Sequence, residues 1–68
     1  MVQSLHRAFD ILEYLARRGG EPAPLSEIAR HTGLNASTCA NLLKTLVSRS
    51  YVDQVGARKG YMLGPMAL

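Results

Sequence analysis

The stretch from residue 25 to residue 44, LSEIARHTGLNASTCANLLK, constrains the fold most, because it predicts two short helices joined by a tight turn. Apolar residues recur at three- and four-residue spacing in both halves, which is typical of helices that pack by one face. Gly33 marks the end of the first helix, since glycine accepts the positive φ that this position often needs. Asn35 is expected to cap the second helix by accepting a backbone hydrogen bond. The pattern predicts a helix-turn-helix, although an ordinary corner between two helices also satisfies it.

The second of these helices, expected over residues 36 to about 49, has two distinct sides. Its apolar stripe, expected to face the core, consists of Cys39, Leu42, Leu43 and Leu46. Its opposite side consists of Ser37, Ala40, Asn41, Lys44 and Ser48. In a helix-turn-helix this second helix is the one that can enter a DNA major groove with its exposed side.

A further helix is expected before the motif, over residues 5 to about 18, with Ser4 as its N-cap. Its predicted buried stripe consists of Leu5, Ala8, Phe9, Leu12, Leu15 and Ala16. Ile11 and Tyr14 lie off that stripe. They are either single exposed apolar residues, which are common, or a contact with a second subunit.

After the motif the pattern changes from helix to strand. Residues 51–55 and 61–63 favour strands, and the loop at 56–60 is bounded by glycines and carries Arg58 and Lys59 at its tip. This arrangement predicts a β-hairpin. The predicted fold is therefore mainly α with a small β-hairpin: a winged helix-turn-helix of three helices plus a wing, in one domain over residues 1–68.

Composition narrows the choice of function. The chain has 68 residues, a formal net charge of +3 and a pI near 9.5, which favours a polyanionic partner. Its one cysteine allows no internal disulfide. No apolar run approaches the roughly 18 residues that a bilayer crossing needs, so we expect a cytoplasmic protein without a membrane partner.

Several short motifs, in order, carry a family resemblance. They are Ser4-Leu5, Arg7-Ala8-Phe9, Ile11-Leu12-Glu13, Leu25-Ser-Glu-Ile-Ala29, Thr32-Gly-Leu34, Ser37-Thr38, Leu42-Leu-Lys-Thr-Leu46, Tyr51-Val52 and Tyr61-Met-Leu-Gly64. Together they resemble the N-terminal DNA-binding domain of IclR-type bacterial transcription regulators. The resemblance implies a homodimeric repressor or activator on a palindromic operator. It also implies a following linker helix and effector-binding domain, so that this chain is a fragment and any small-molecule effector binds elsewhere.

The sequence departs from the family pattern at two positions. Asn41 stands where the family usually has a basic residue, typically arginine, and Ser50 stands where it usually has glycine. The first change puts the usual base or phosphate contact in doubt, although asparagine can pair with adenine instead. The second predicts backbone strain, or a different exit geometry, at the end of the second motif helix.

The candidate DNA contacts divide by the chemistry of each side chain. Ser37 and Thr38, in the first turn of the recognition helix, suit phosphate oxygens, and the helix dipole adds to this. Ala40, Asn41 and Lys44 face outward at positions that can read the groove: Ala40 suits a thymine methyl, and Lys44 suits a guanine or a phosphate. Arg58 and Lys59 at the wing tip suit the backbone or the adjacent minor groove, and Arg49 is a weaker phosphate candidate. The full set is Ser37, Thr38, Ala40, Asn41, Lys44, Arg49, Arg58 and Lys59.

An enzyme, a metal site and a protein-contact module are the alternatives to DNA binding. An enzyme would need Cys39 with His6 or His31, but Cys39 lies on the apolar stripe, where a cysteine acts as a small hydrophobe. The same three residues lack the spacing of a metal site, and we expect no catalytic residue and no cofactor. A winged helix used only for protein contact, and a winged-helix DNA binder of another family, both remain as alternatives.

Overall fold

The structure, a computed structural model, describes residues 2–57 and 60–67. Three helices come first, followed by two strands and a short 3-10 turn: α1 (Gln3–Arg17), α2 (Leu25–Thr32), α3 (Ala36–Ser48), β1 (Val52–Val55), β2 (Gly60–Leu63) and the turn Pro65–Ala67. The strands pair antiparallel, in a register that runs from Val52 opposite Leu63 to Val55 opposite Gly60. The predicted winged helix-turn-helix is confirmed.

The core draws on all three helices, the connection before α2, and β1. Its buried apolar residues are Ile11, Leu15, Ala23, Ile28, Ala29, Cys39, Leu43 and Val52. Ala29 lies on α2, where a small side chain allows the helices to approach closely. The packing of one or two residues from each element explains how so short a chain encloses an apolar centre.

The turn between α2 and α3 forms as predicted. Gly33 ends α2 in the left-handed region at φ 72°, and the N–H of Leu34 donates to the carbonyl of Ala29 at 3.0 Å. Asn35 then caps α3, its side-chain oxygen accepting the N–H of Thr38 at 2.8 Å. The turn at Gly33 and the cap at Asn35 together set the angle between α2 and α3.

The predicted buried face of α1 is only partly correct, because Leu15 is buried as predicted but Leu5 and Phe9 are not. Leu5 and Phe9 are 56% and 53% exposed, whereas Ile11 is fully buried and Leu15 is 2% exposed. Ile11 lies about 160° around the helix from Phe9, so one narrow stripe cannot bury both. Both sides of α1 are apolar, and packing against α2 and α3 selects the side that carries Ile11. The helix also begins earlier than predicted, with Val2 rather than Ser4 at the N-cap.

The subunit contact predicted through Ile11 and Tyr14 fails for the same reason. Ile11 has no exposed surface to offer a second chain. Tyr14 is half-buried, and its hydroxyl and ring contact α2 of its own chain. A subunit contact on α1 therefore has to use the other side of the helix.

The hairpin is anchored to the N-terminal end of α2. Ala23 and Tyr61 exchange two backbone hydrogen bonds, of 2.9 and 2.8 Å, in a single antiparallel bridge. Gly60 has a φ of +115°, and a Cβ there would lie 2.4 Å from the carbonyl oxygen of Ala23. Only glycine allows this approach, so the wing and the start of α2 form one unit. Arg58 and Lys59 lie outside the described residues.

Candidate nucleic-acid interface

The orientation of α3 follows from which of its residues are buried. Cys39 and Leu43 are fully buried, and burial raises the pKa of the Cys39 thiol. Ala40, Asn41 and Lys44 are all exposed on the other side of the helix. The predicted division of α3 into a core side and an outward side is confirmed, and the interpretation of Cys39 as a packed hydrophobe agrees with its position.

In the first turn of α3, some backbone N–H groups are capped by Asn35 and others have no acceptor. The N–H of Thr38 is taken by the Asn35 side chain and that of Cys39 by the Asn35 carbonyl, at 2.8 and 3.0 Å. Among the described residues, the N–H groups of Ala36 and Ser37 have no acceptor. Ser37 is exposed, while Thr38 is half-buried. Of the two phosphate candidates, Ser37 is therefore the better placed.

The outward side of α3 carries little charge and short side chains. Lys44 is the only charged residue of the helix, and α3 contains no carboxylate to repel an anion. The exposed Thr45, which sequence reasoning missed, donates its hydroxyl to the carbonyl of Asn41 at 3.2 Å. Ser48 similarly donates to the carbonyl of Thr45 at 2.6 Å. Both hydroxyl protons are thus already used within the helix.

Arg49 occupies a different place from the other candidates. It follows α3 as its C-cap residue and is exposed. It lines a shallow apolar groove together with Leu5 and Phe9 of α1. The structure therefore brings Ser37, Asn41 and Lys44 together on one side of α3, and leaves Arg49 at the far end of the helix.

A polar cluster at the C-terminal end of α1 fixes α2 in position. The hydroxyl of Tyr14 donates to Glu27 at 2.6 Å, and Arg18 donates to the same carboxylate oxygen at 2.7 Å. Arg18 also donates to the carbonyls of Glu21 and Pro22, at 3.1 and 2.9 Å. The ring of His31 stacks on Tyr14, with 4.6 Å between centroids.

The ionisation of this cluster reflects its hydrogen bonds. The hydrogen bond from Tyr14, and then the charge of Arg18, lower the pKa of Glu27. The same hydrogen bond, and then partial burial, raise the pKa of Tyr14. Both shifts favour an ionised Glu27 beside a protonated phenol. No local sequence pattern indicates this cluster, because its partners are 9 and 13 residues apart.

The side of α1 that faces away from α2 is apolar and exposed. Leu5, Phe9 and Met66 are more than half exposed. Two adjoining grooves share Phe9, Leu12 and Tyr51, and together they extend from Leu5 to Met66. We call the surface made of Leu5, Phe9, Leu12, Tyr51 and Met66 the apolar face. Sequence reasoning assigned three of these residues to the core.

No helix within residues 2–57 and 60–67 has the length and apolarity that crossing a bilayer requires. The same residues contain no cluster of three or more histidine, cysteine or acidic side chains suited to a metal ion.

Comparison with known proteins gives a consistent result. Residues 4–56 match the IclR helix-turn-helix domain. The chain is 39% identical over 66 residues to the transcriptional repressor IclR of Escherichia coli, covering 97% of this chain and 24% of that protein. The acetate operon repressor of Salmonella typhimurium has the same identity and coverage. The chain thus spans about a quarter of the length of these relatives.

Solved structures agree with the sequence comparison. An IclR transcriptional regulator from Alicyclobacillus acidocaldarius superposes on the whole chain with a TM-score of 0.88 at 33% identity, over 27% of that chain. HmgR of Pseudomonas aeruginosa gives a TM-score of 0.84 at 32% identity, over 97% of this chain and 28% of its own. Both solved structures therefore share the fold of this chain and about a third of its residues.

Proposed function

Because this chain belongs to the IclR helix-turn-helix family, we propose that it binds double-stranded DNA as the DNA-binding domain of a bacterial transcriptional regulator. The observation that carries the proposal is the outward side of α3. It is exposed and free of carboxylates, and the side chains of Asn41 and Lys44 have no intramolecular hydrogen-bond or ion-pair partner among the described residues. A surface meant to pack within the protein would have its polar groups paired.

In the proposed complex, α3 lies in the major groove, whose width of about 12 Å admits a helix. Ser37 and the free N–H groups of the first turn bind a phosphate, assisted by the positive end of the helix dipole. Lys44 reaches a guanine edge or a phosphate. Thr38, Ala40 and Arg49 stay as secondary candidates, and we propose Arg58 and Lys59 as wing contacts to the backbone or the adjacent minor groove.

We further propose that two copies bind together on a palindromic operator in the cytoplasm. The support on this chain is the apolar face, because a contiguous exposed apolar surface on a small domain is typical of an interaction site. A homodimer presents its two recognition helices to half-sites about 34 Å apart, one turn of DNA. An effector would act through a part of the protein that lies outside this chain. The role is binding, and we propose no reaction.

The salt dependence of binding tests the DNA proposal. Fluorescence anisotropy with a labelled duplex should give an affinity that falls steeply with salt, because phosphate contacts release counterions. Lys44→Ala should weaken binding to all sequences and reduce the log–log slope by about 1. Arg17→Ala, which removes the same charge from α1, is the matched control and should leave the slope unchanged. A flat salt response in the unmodified chain would overturn the proposal and favour a winged helix used for protein contact.

The dimer proposal has its own test. On a duplex with two half-sites, selected from random DNA by the unmodified chain, binding should be cooperative. Phe9→Gln should convert it to two independent steps while the chain stays folded, because Phe9 is 53% exposed and lies outside the buried core. Arg17→Gln, on the same helix, should remain cooperative. Unchanged cooperativity in Phe9→Gln would remove the apolar face as the contact.

A further inference from the structure

We propose that Asn41 reads an adenine in the major groove and is the principal base-selecting residue of α3. This inference rests on the proposed DNA binding, and it specifies which residue selects a base and which base it selects. The support comes from the place of Asn41 on the helix, its neighbours and its free amide.

Asn41 occupies the centre of the outward side of α3. Cys39 and Leu43 are fully buried and mark the direction of the core. With about 100° per residue, Asn41 points about 180° away from the mean direction of those two residues. Lys44 and Ala40 lie about 60° and 100° from Asn41 around the helix. A docking that turns the centre of the outward side toward the groove therefore directs the Asn41 side chain at the bases.

The neighbours of Asn41 let the helix approach closely. Ser37, Thr45 and Ser48, which share its side of the helix, all have short side chains. Thr45 and Ser48 donate their hydroxyl protons to carbonyls of α3 itself. They therefore do not compete as donors to the base beneath Asn41.

The free amide of Asn41 matches adenine and mismatches guanine. Among the described residues its side chain has no hydrogen-bond partner, so both its oxygen and its NH₂ group are available. Adenine presents an N6–H₂ donor beside an N7 acceptor, which pair with the amide oxygen and NH₂ respectively. Guanine presents two acceptors, N7 and O6, so the amide oxygen would face another oxygen. We expect a preference for adenine of about ten- to a hundredfold.

Two experiments test this inference. Selection from random DNA by the unmodified chain should recover one fixed adenine per half-site. Replacing that adenine with 7-deazaadenine removes N7 but keeps base pairing, and should lower the affinity of the unmodified chain about tenfold. The same replacement at a neighbouring adenine is the control and should have no effect. Because the protein is unchanged, a loss of affinity cannot reflect misfolding.

The protein variants complete the test. Asn41→Ala should bind adenine and 7-deazaadenine duplexes equally, and Asn41→Arg should select guanine at this position. Lys44→Ala should keep the adenine preference. If Asn41→Ala retains both its salt-dependent binding and the adenine preference, this inference falls while the proposed function stands. If the unmodified chain shows no salt-dependent binding, the proposed function itself has failed.

Discussion

The phenol of Tyr14 donates a 2.6 Å hydrogen bond to Oε2 of Glu27 and so joins the C-terminal half of α1 to the first turn of α2. Arg18 binds the same oxygen at 2.7 Å. The three side chains hold the helix that precedes the recognition helix. The orientation of α3 therefore depends on residues that contact no DNA in the proposed complex.

Removing this hydrogen bond should loosen the junction of α1 and α2. Tyr14→Phe keeps the ring on His31 but leaves Glu27 with Arg18 alone, so we expect the melting temperature to fall by a few degrees. Tyr51→Phe is the control, because the Tyr51 hydroxyl has no partner among the described residues and its loss should change little. Circular dichroism during heating measures both. Equal melting of the two variants would show that the hydrogen bond does not stabilise the fold.

The same cluster predicts how stability depends on pH. Because the pKa of Glu27 is lowered in the fold, its contribution is present above the ordinary glutamate pKa of about 4.3 and is lost as pH falls through the folded value. Because the pKa of Tyr14 is raised, its contribution is present below the ordinary tyrosine pKa of about 10 and is lost as pH rises through the folded value.

The cluster should therefore stabilise the fold most between about pH 5 and pH 9. Urea unfolding across pH should show that Glu27→Gln is less stable than the unmodified chain in this window. In acid the difference should shrink, because Glu27 is then protonated in both the folded and the unfolded state of the unmodified chain. A difference that is constant down to pH 2 would contradict this assignment.

The residue that follows the C-cap of α3 has a strained backbone, and a substitution can relieve that strain. Ser50 has a φ of 65°, a left-handed conformation that costs a residue with a side chain about 1–2 kcal/mol. Ser50→Gly should raise the free energy of unfolding by about 1 kcal/mol, after the greater freedom of glycine in the unfolded chain is counted. Ser48→Gly, inside α3, should lower it instead. Denaturant midpoints distinguish the two, and a destabilised Ser50→Gly would contradict the prediction.

The anchor of the wing depends on the absence of a side chain at Gly60. Gly60→Ala places a Cβ 2.4 Å from the carbonyl oxygen of Ala23 at a φ of +115°, and we expect it to cost about 2–4 kcal/mol of stability. Gly19→Ala is the matched control: its φ is +63° and nothing lies within 4 Å of the added Cβ. It should cost only about 1 kcal/mol. Similar losses in chemical denaturation would mean that the close approach is not what requires glycine.

Features set by neighbours along the chain were predictable from sequence. Gly33 and Asn35 shape the turn between α2 and α3 through hydrogen bonds that reach no more than five residues. The outward side of α3 follows from helical periodicity, because Cys39 and Leu43 mark one clear apolar stripe. At Ser50, where the resemblance predicted backbone strain or a different exit geometry, the structure has a positive φ.

Features set by contacts between distant segments were not predictable. Helix α1 has two apolar sides, and only packing against α2 and α3 decides that Ile11 is buried while Phe9 is exposed. The cluster of Tyr14, Arg18 and Glu27 and the bridge between Ala23 and Tyr61 likewise join separate parts of the chain. The sequence by itself therefore determined the helices, the turn and the hairpin, because those depend on short-range periodicity and hydrogen bonding. Tertiary structure alone decided which side of α1 stays exposed and how the wing is held, because those depend on which segments meet when the chain closes around its core.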